Sequence, residues 1–208
     1  TNHIRREAGD KVVVKGDGSC FIYAVLASLG MLHHGHAHQE QTPTEEDLRK
    51  AKLFRQKIWT WMNDPRQWEF RRDHFKDPTD PIPLSHSPTY KNGKFVKGRY
   101  GKFGKSADIT AIAALLNIDI ICANASLTIE TKPAISTHKG NTRTCTNLAS
   151  TVREISSGHH VIVIDWNGEW DTGHYAAYAR VGGLQNYPPP PWLANTHPTP
   201  AEHTTHPQ

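Results

Sequence analysis

Cysteine is scarce in this chain: Cys20, Cys122 and Cys145 are the only three in 208 residues. An odd, sparse set cannot build a disulfide framework and suits a reducing compartment, so a cytoplasmic location is expected. No apolar stretch approaches the length of a membrane span and no secretory leader is recognisable, so no membrane partner is expected. The regular alternation of strands and helices that marks a doubly wound sheet is missing too. Helical patterns come first and strand patterns last, which points to an α+β domain with a small mixed sheet flanked by helices.

Two constellations each lack one part. His33, His34, His36 and His38 are dense in possible ligands, but apart from Glu40 no cysteine or carboxylate stands beside them at ligand spacing. A polar loop is expected there, with no metal and no other cofactor. The stretch from Gly98 to Ser106 resembles a phosphate-binding loop, but that pattern wants glycine where Arg99 stands and a buried strand in front. Residues 90–97 are polar instead.

What is present suffices for one core. Apolar residues make up 37% of the chain and charged residues 21%. The domain is expected over residues 1–181. Residues 182–208, rich in Pro, Thr and His, read as a linker or disordered tail. The chain begins at Thr1 rather than Met, and we expect it to be part of a longer polypeptide. The net charge is +4. Much of that excess lies in Lys91, Lys94, Lys97, Arg99, Lys102 and Lys105, read as a solvated loop, so nucleic acid is not expected as a partner.

Periodicity predicts a strand over 11–15 and a helix over 20–32. A capping box from Thr42 to Glu45 opens a second helix that runs to about Met62, with Ala51, Phe54, Ile58, Trp61 and Met62 at helical spacing. A short helix is expected over 66–75, loop over 77–90 and a helix over 106–116. Strands follow near 118–123, 126–131 and 151–155, and a hairpin over 160–181 closes the fold. Cys122 lies in an apolar run and is expected to be buried; Cys145 is expected to be an exposed thiol.

The chemistry concentrates in Val12-Val13-Val14-Lys15-Gly16-Asp17-Gly18-Ser19-Cys20-Phe21. A β-branched run ends in a turn with two glycines, and a cysteine then opens a helix. Backbone N–H groups and the positive end of the helix dipole should aim at its sulfur, lower its pKa and leave donors for an oxyanion. The base is expected to be His174, at the start of the second arm of the closing hairpin. His159 and His160 lack such a context and are read as strand-end residues.

Gly16-Asp17-Gly18-Ser19-Cys20-Phe21 resembles the signature of the OTU (ovarian tumour) cysteine proteases. Phe103-Gly104, followed by the helix and strand of 106–120, resembles that family's second block. His174-Tyr175, with Tyr178 further on, resembles its catalytic-histidine strand. Together the blocks span residues 12–181. The resemblance implies a papain-like fold and a thiol-dependent hydrolase, a deubiquitinase cleaving after the C-terminal glycine of ubiquitin or a ubiquitin-like protein. It implies Cys20 as nucleophile and His174 as base. Asp17 is counted with the catalytic set because it holds the oxyanion loop of Gly18 and Ser19. Phe103, Gly104, Trp166, Trp170 and Tyr175 would line the substrate channel.

One position departs from the pattern. Many members carry Asp or Asn two residues after the histidine, and here that position is Ala176. Asp10, Asp171 and Asn167 are the candidates to orient His174, and a Cys–His dyad is the remaining possibility. A domain of a viral polyprotein or a bacterial effector, acting on ubiquitin in the host cytosol, fits the family reading. The alternatives are a polyprotein-processing endopeptidase and a catalytically weak module that binds ubiquitin.

Overall fold

The structure, a computed structural model, describes residues 11–34, 39–98, 100–101, 106–123, 135–139, 141–145, 161–167, 174–178 and 187–194. Chain order is β1 (Lys11–Val12), α1 (Cys20–Ser28), α2 (Glu45–Asn63), a 3-10 turn (Pro65–Gln67), α3 (Trp68–His74), β2 (Tyr90–Lys91) and β3 (Lys94–Phe95). There follow α4 (Ser106–Leu116), β4 (Asp119–Ala123), β5 (Ile135–Lys139), β6 (Asn141–Cys145), β7 (Val161–Asn167), β8 (His174–Tyr178) and α5 (Pro191–Ala194). The fold mixes helices with a small sheet of order β1-β8-β7-β4-β5-β6. The β4–β7 pair is parallel and its other pairs are antiparallel.

Helix α1 is apolar on every side and sits inside the core, as such a helix must. Of its residues, Cys20 to Leu26 and Ser28 are buried. The helix packs on β8 and β7. It is shorter than periodicity implied, because Gly30 takes φ +70° and closes it. Gly30 N–H donates to the Ala27 carbonyl (3.0 Å) and Met31 N–H to that of Leu26 (2.9 Å), the Schellman arrangement. Asn117, at φ +53°, ends α4 in the same way.

Helix α2 is capped two residues later than the predicted box. Thr44 and Asp47 bond reciprocally, Asp47 N–H to Thr44 Oγ1 (3.2 Å) and Thr44 N–H to Asp47 Oδ2 (3.2 Å). Ala51, Phe54, Ile58 and Met62 are buried, and the helix packs against α4 and α1.

The hairpin β2–β3 was read from sequence as featureless loop. Its signal is Asn92-Gly93, which takes φ +51° and +72° at the turn, the conformation a two-residue hairpin needs. The β5–β6 pair was also unforeseen, since its strands are rich in threonine and carry little apolar pattern. The strands expected at 126–131 and 151–155 lie outside the described residues. So do His36, His38, His159 and His160, the loop cations Arg99, Lys102 and Lys105, and the Cys145 side chain.

Residues 182–208 were expected to be linker or tail, yet 187–194 pack on the core. Leu193 is fully buried. Trp192 meets the Phe54 ring edge to face at 5.2 Å, and Tyr187 Oη–H donates to the Leu116 carbonyl (2.7 Å). Pro188 to Pro190 lead into α5 with little conformational entropy left to lose. Tyr187, Trp192 and Leu193 contribute the apolar area that composition had denied this segment.

Candidate active site

Asp17 organises the turn that leads into Cys20. Its carboxylate is fully buried and accepts from Ser19 N–H (3.0 Å), Tyr23 Oη–H (2.9 Å) and Tyr90 Oη–H (2.6 Å). Burial, followed by the charge of Asp17 for Tyr23 and the hydrogen bond to it for Tyr90, holds both phenols well above the ordinary tyrosine range, so they stay donors. The resemblance counts Asp17 in the catalytic set as holder of the loop; here its carboxylate anchors the Ser19 N–H. The hairpin β2–β3 hangs on the same carboxylate through Tyr90, a link the sequence did not disclose.

Gly18 takes φ +88°, and a side chain there would collide with the Gly101 carbonyl. Gly101 N–H in turn donates to the Asp17 carbonyl (2.9 Å). Gly101 therefore lies directly on the turn before Cys20, an approach that the absent Cβ of Gly18 allows.

Cys20 opens α1 with 2% of its surface exposed. The backbone N–H groups of Tyr175, Phe21 and Cys20 itself each favour its thiolate, two of them at the helix start as expected. The expected drop in thiol pKa is nevertheless not found. Burial disfavours the thiolate, the Asp17 charge adds to that, and the thiol is pushed up to about 11. Desolvation outweighs three backbone dipoles.

The Tyr175 N–H that reaches Cys20 belongs to the residue next to His174. The half-buried His174 ring packs over Gly16, with Nδ1 3.5 Å from where a Cβ would stand. Cys20 and His174 are thus brought to one turn by the packing of α1 on β8. Tyr175 is buried and meets Phe21 edge to face at 5.4 Å. Ala176 is buried and cannot orient an imidazole. Asn167 is the register partner of His174 across β7–β8, and Trp166 that of Tyr175. Asp10, Asp171, Trp170, Phe103 and Gly104 lie outside the described residues.

Sequence reading missed Arg55. It occupies the buried stripe of α2 with Ala51, Phe54, Ile58 and Met62. A cation inside an apolar stripe was the available signal. It also missed the role of His34, which is buried between Asp47 Oδ2 (2.8 Å from Nδ1) and Lys15 N–H (3.2 Å from Nε2), edge to face with Tyr23 at 4.7 Å. Burial pushes the Asp47 carboxyl up. The bonds from His34 and from the His33 and Thr44 N–H groups outweigh this and leave it below its ordinary value. Cys122 is buried as expected, its thiol pushed up to about 12 by desolvation. Among the described residues no cluster suits a metal ion, and no helix is long and apolar enough to cross a membrane. No protein-family model matches the chain, and no curated protein matches it significantly.

Proposed function

We propose that this chain is a cysteine isopeptidase of the OTU, papain-like kind, which hydrolyses the bond after the C-terminal glycine of ubiquitin or a ubiquitin-like protein. The carrying observation is that Cys20, at the start of a buried helix, accepts from Tyr175 N–H while the adjoining His174 ring lies on the nucleophile turn.

With the thiol pushed up to about 11, proton removal accompanies attack. His174 takes the Sγ proton as sulfur bonds to the glycine carbonyl carbon. Backbone N–H groups around Cys20 hold the oxyanion, without that of Ser19, which is bonded to Asp17. The carbon–nitrogen bond then breaks, and His174 returns the proton to the departing lysine amine. Water, deprotonated by His174, cleaves the thioester and restores the thiol. Asn167 is the orienting group that the register favours. No cofactor enters these steps.

The test is reaction with ubiquitin bearing a C-terminal electrophile, read by intact mass. A single adduct that is absent in Cys20→Ala is the expected result. Binding of ubiquitin without an adduct would turn the reading into the weak ubiquitin-binding module. Neither binding nor adduct from folded protein would overturn it and favour polyprotein processing.

A further inference from the structure

Behind the nucleophile turn lies a small cavity of about 10 Å³, lined by Gly18, Phe21, Ser85 and Asp108 among others, with the side chain of Arg55 at its wall. That volume holds one water, so the wall, not the void, carries the chemistry. Arg55 is 4% exposed. One of its terminal nitrogens donates to the Gly18 carbonyl (3.1 Å) and to Ser19 Oγ (2.7 Å), and the other to Ser85 Oγ (2.9 Å). The nitrogen bonded to Gly18 and Ser19 would lie 2.7 Å from a Cβ at Gly101, so the guanidinium fills the space that this glycine leaves.

We infer that Arg55 is the positioning residue of the site: its planar fork locks the Gly18–Ser19 peptide, the 85 loop and the Gly101 crossing into one arrangement from which Cys20 emerges. The inference rests on the reading of Cys20 as nucleophile. A fork bonded to a backbone carbonyl and two hydroxyls sets direction as well as distance, which an ammonium cannot reproduce. Leaving the Gly18 carbonyl unbonded would let the peptide rotate and displace the first N–H groups of α1 from the sulfur. Electrostatics supports this. Burial disfavours the guanidinium charge; Asp108 most strongly, then Tyr23, Asp17 and Cys20, favour it. Arg55 thus lies within electrostatic reach of the thiol.

The experiment compares wild type with Arg55→Lys and Arg55→Met. Iodoacetamide alkylation of Cys20, followed across pH by mass of the Cys20 peptide, reports the thiol without ubiquitin. Hydrolysis of a ubiquitin C-terminal fluorogenic amide gives kcat and KM, and thermal unfolding checks folding. In Arg55→Met, kcat is expected to fall about 100-fold with KM within about threefold, and the alkylation profile to move to higher pH by about one unit, a tenfold lower rate at a given pH. Arg55→Lys is expected to recover the profile and only part of kcat. Folded variants with wild-type kcat and wild-type profile overturn the inference. If Arg55→Met does not fold, Arg55→Lys decides, and wild-type kcat in it is the overturning result. If wild type leaves ubiquitin untouched, the proposed function fails by itself. The alkylation profile then judges Arg55 alone, a shift sustaining the inference and an unchanged profile overturning it.

Discussion

Two histidines meet the chain at neighbouring residues, His34 at the Lys15 N–H and His174 over Gly16, yet their settings are opposites. His34 is 1% exposed and its Nδ1 faces a buried carboxylate, the arrangement usually sought in a catalytic base. His174 is half-buried over Gly16, and the buried Ala176 two residues on offers it no carboxylate. The pairing of histidine with carboxylate is therefore no mark of catalysis by itself. His34 has both ring nitrogens committed, one to Asp47 and one to Lys15, so no nitrogen is left for a substrate proton. Its task is to tie the end of β1 and the residues after α1 to the cap of α2.

Substituting each histidine is the most direct way to break this contrast. His174→Ala is expected to lower kcat/KM for the ubiquitin amide at least about 1,000-fold, with the unfolding midpoint within about 3 °C of wild type. Retention of a tenth of the activity would remove His174 from the proposed role. His34→Ala is expected to do the reverse. It strands the buried Asp47 carboxylate and lowers unfolding free energy by about 2–4 kcal/mol in denaturant titration, while kcat/KM of the folded enzyme stays within about threefold. Lost activity at unchanged stability would place His34 in the site.

The thiol sharpens the contrast through pH. A Cys20 pKa raised from 9.0 to about 11 means that the folded state holds its proton where the unfolded state has released it. Stability from this group is complete below pH 9.0 and is lost as pH rises through about 11, by about 2–3 kcal/mol. Cys20→Ser is expected to flatten that part of the alkaline unfolding curve. A curve identical to wild type would mean that the thiol titrates normally. Asn167→Ala is expected to slow turnover about tenfold without altering KM, which tests whether the register partner of His174 orients it. The smallest effect belongs to Tyr90→Phe, about 1 kcal/mol for one of three bonds to Asp17, measured by urea unfolding.

The site was legible unevenly. Asp17, Gly18 and Cys20 stand in one short run, so local chemistry announced them. His174 was legible because it opens a strand after a turn. The Asn92-Gly93 turn carried a hairpin signal that the lysines around it obscured. Arg55 and Tyr90 were hidden for a different reason: their partners lie far away in the chain, Arg55 reaching Gly18 from residue 55 and Tyr90 reaching Asp17 from residue 90. The tail misled because proline and threonine argue for solvent, while Trp192 and Leu193 supplied the apolar contacts that hold it down.

By itself the sequence determined the local matters: a cysteine opening an apolar helix, glycines where the turn needs them and a mixed helix-and-strand domain. Those depend on residues within a few positions of one another, where φ preference and hydrophobic period decide. Only the tertiary structure decided that Asp17 is a three-bond anchor, that His34 is committed, that Arg55 underlies the turn, and that the thiol is raised rather than lowered. Each of these is set by burial and by partners distant in the chain, and desolvation is a property of the packed whole.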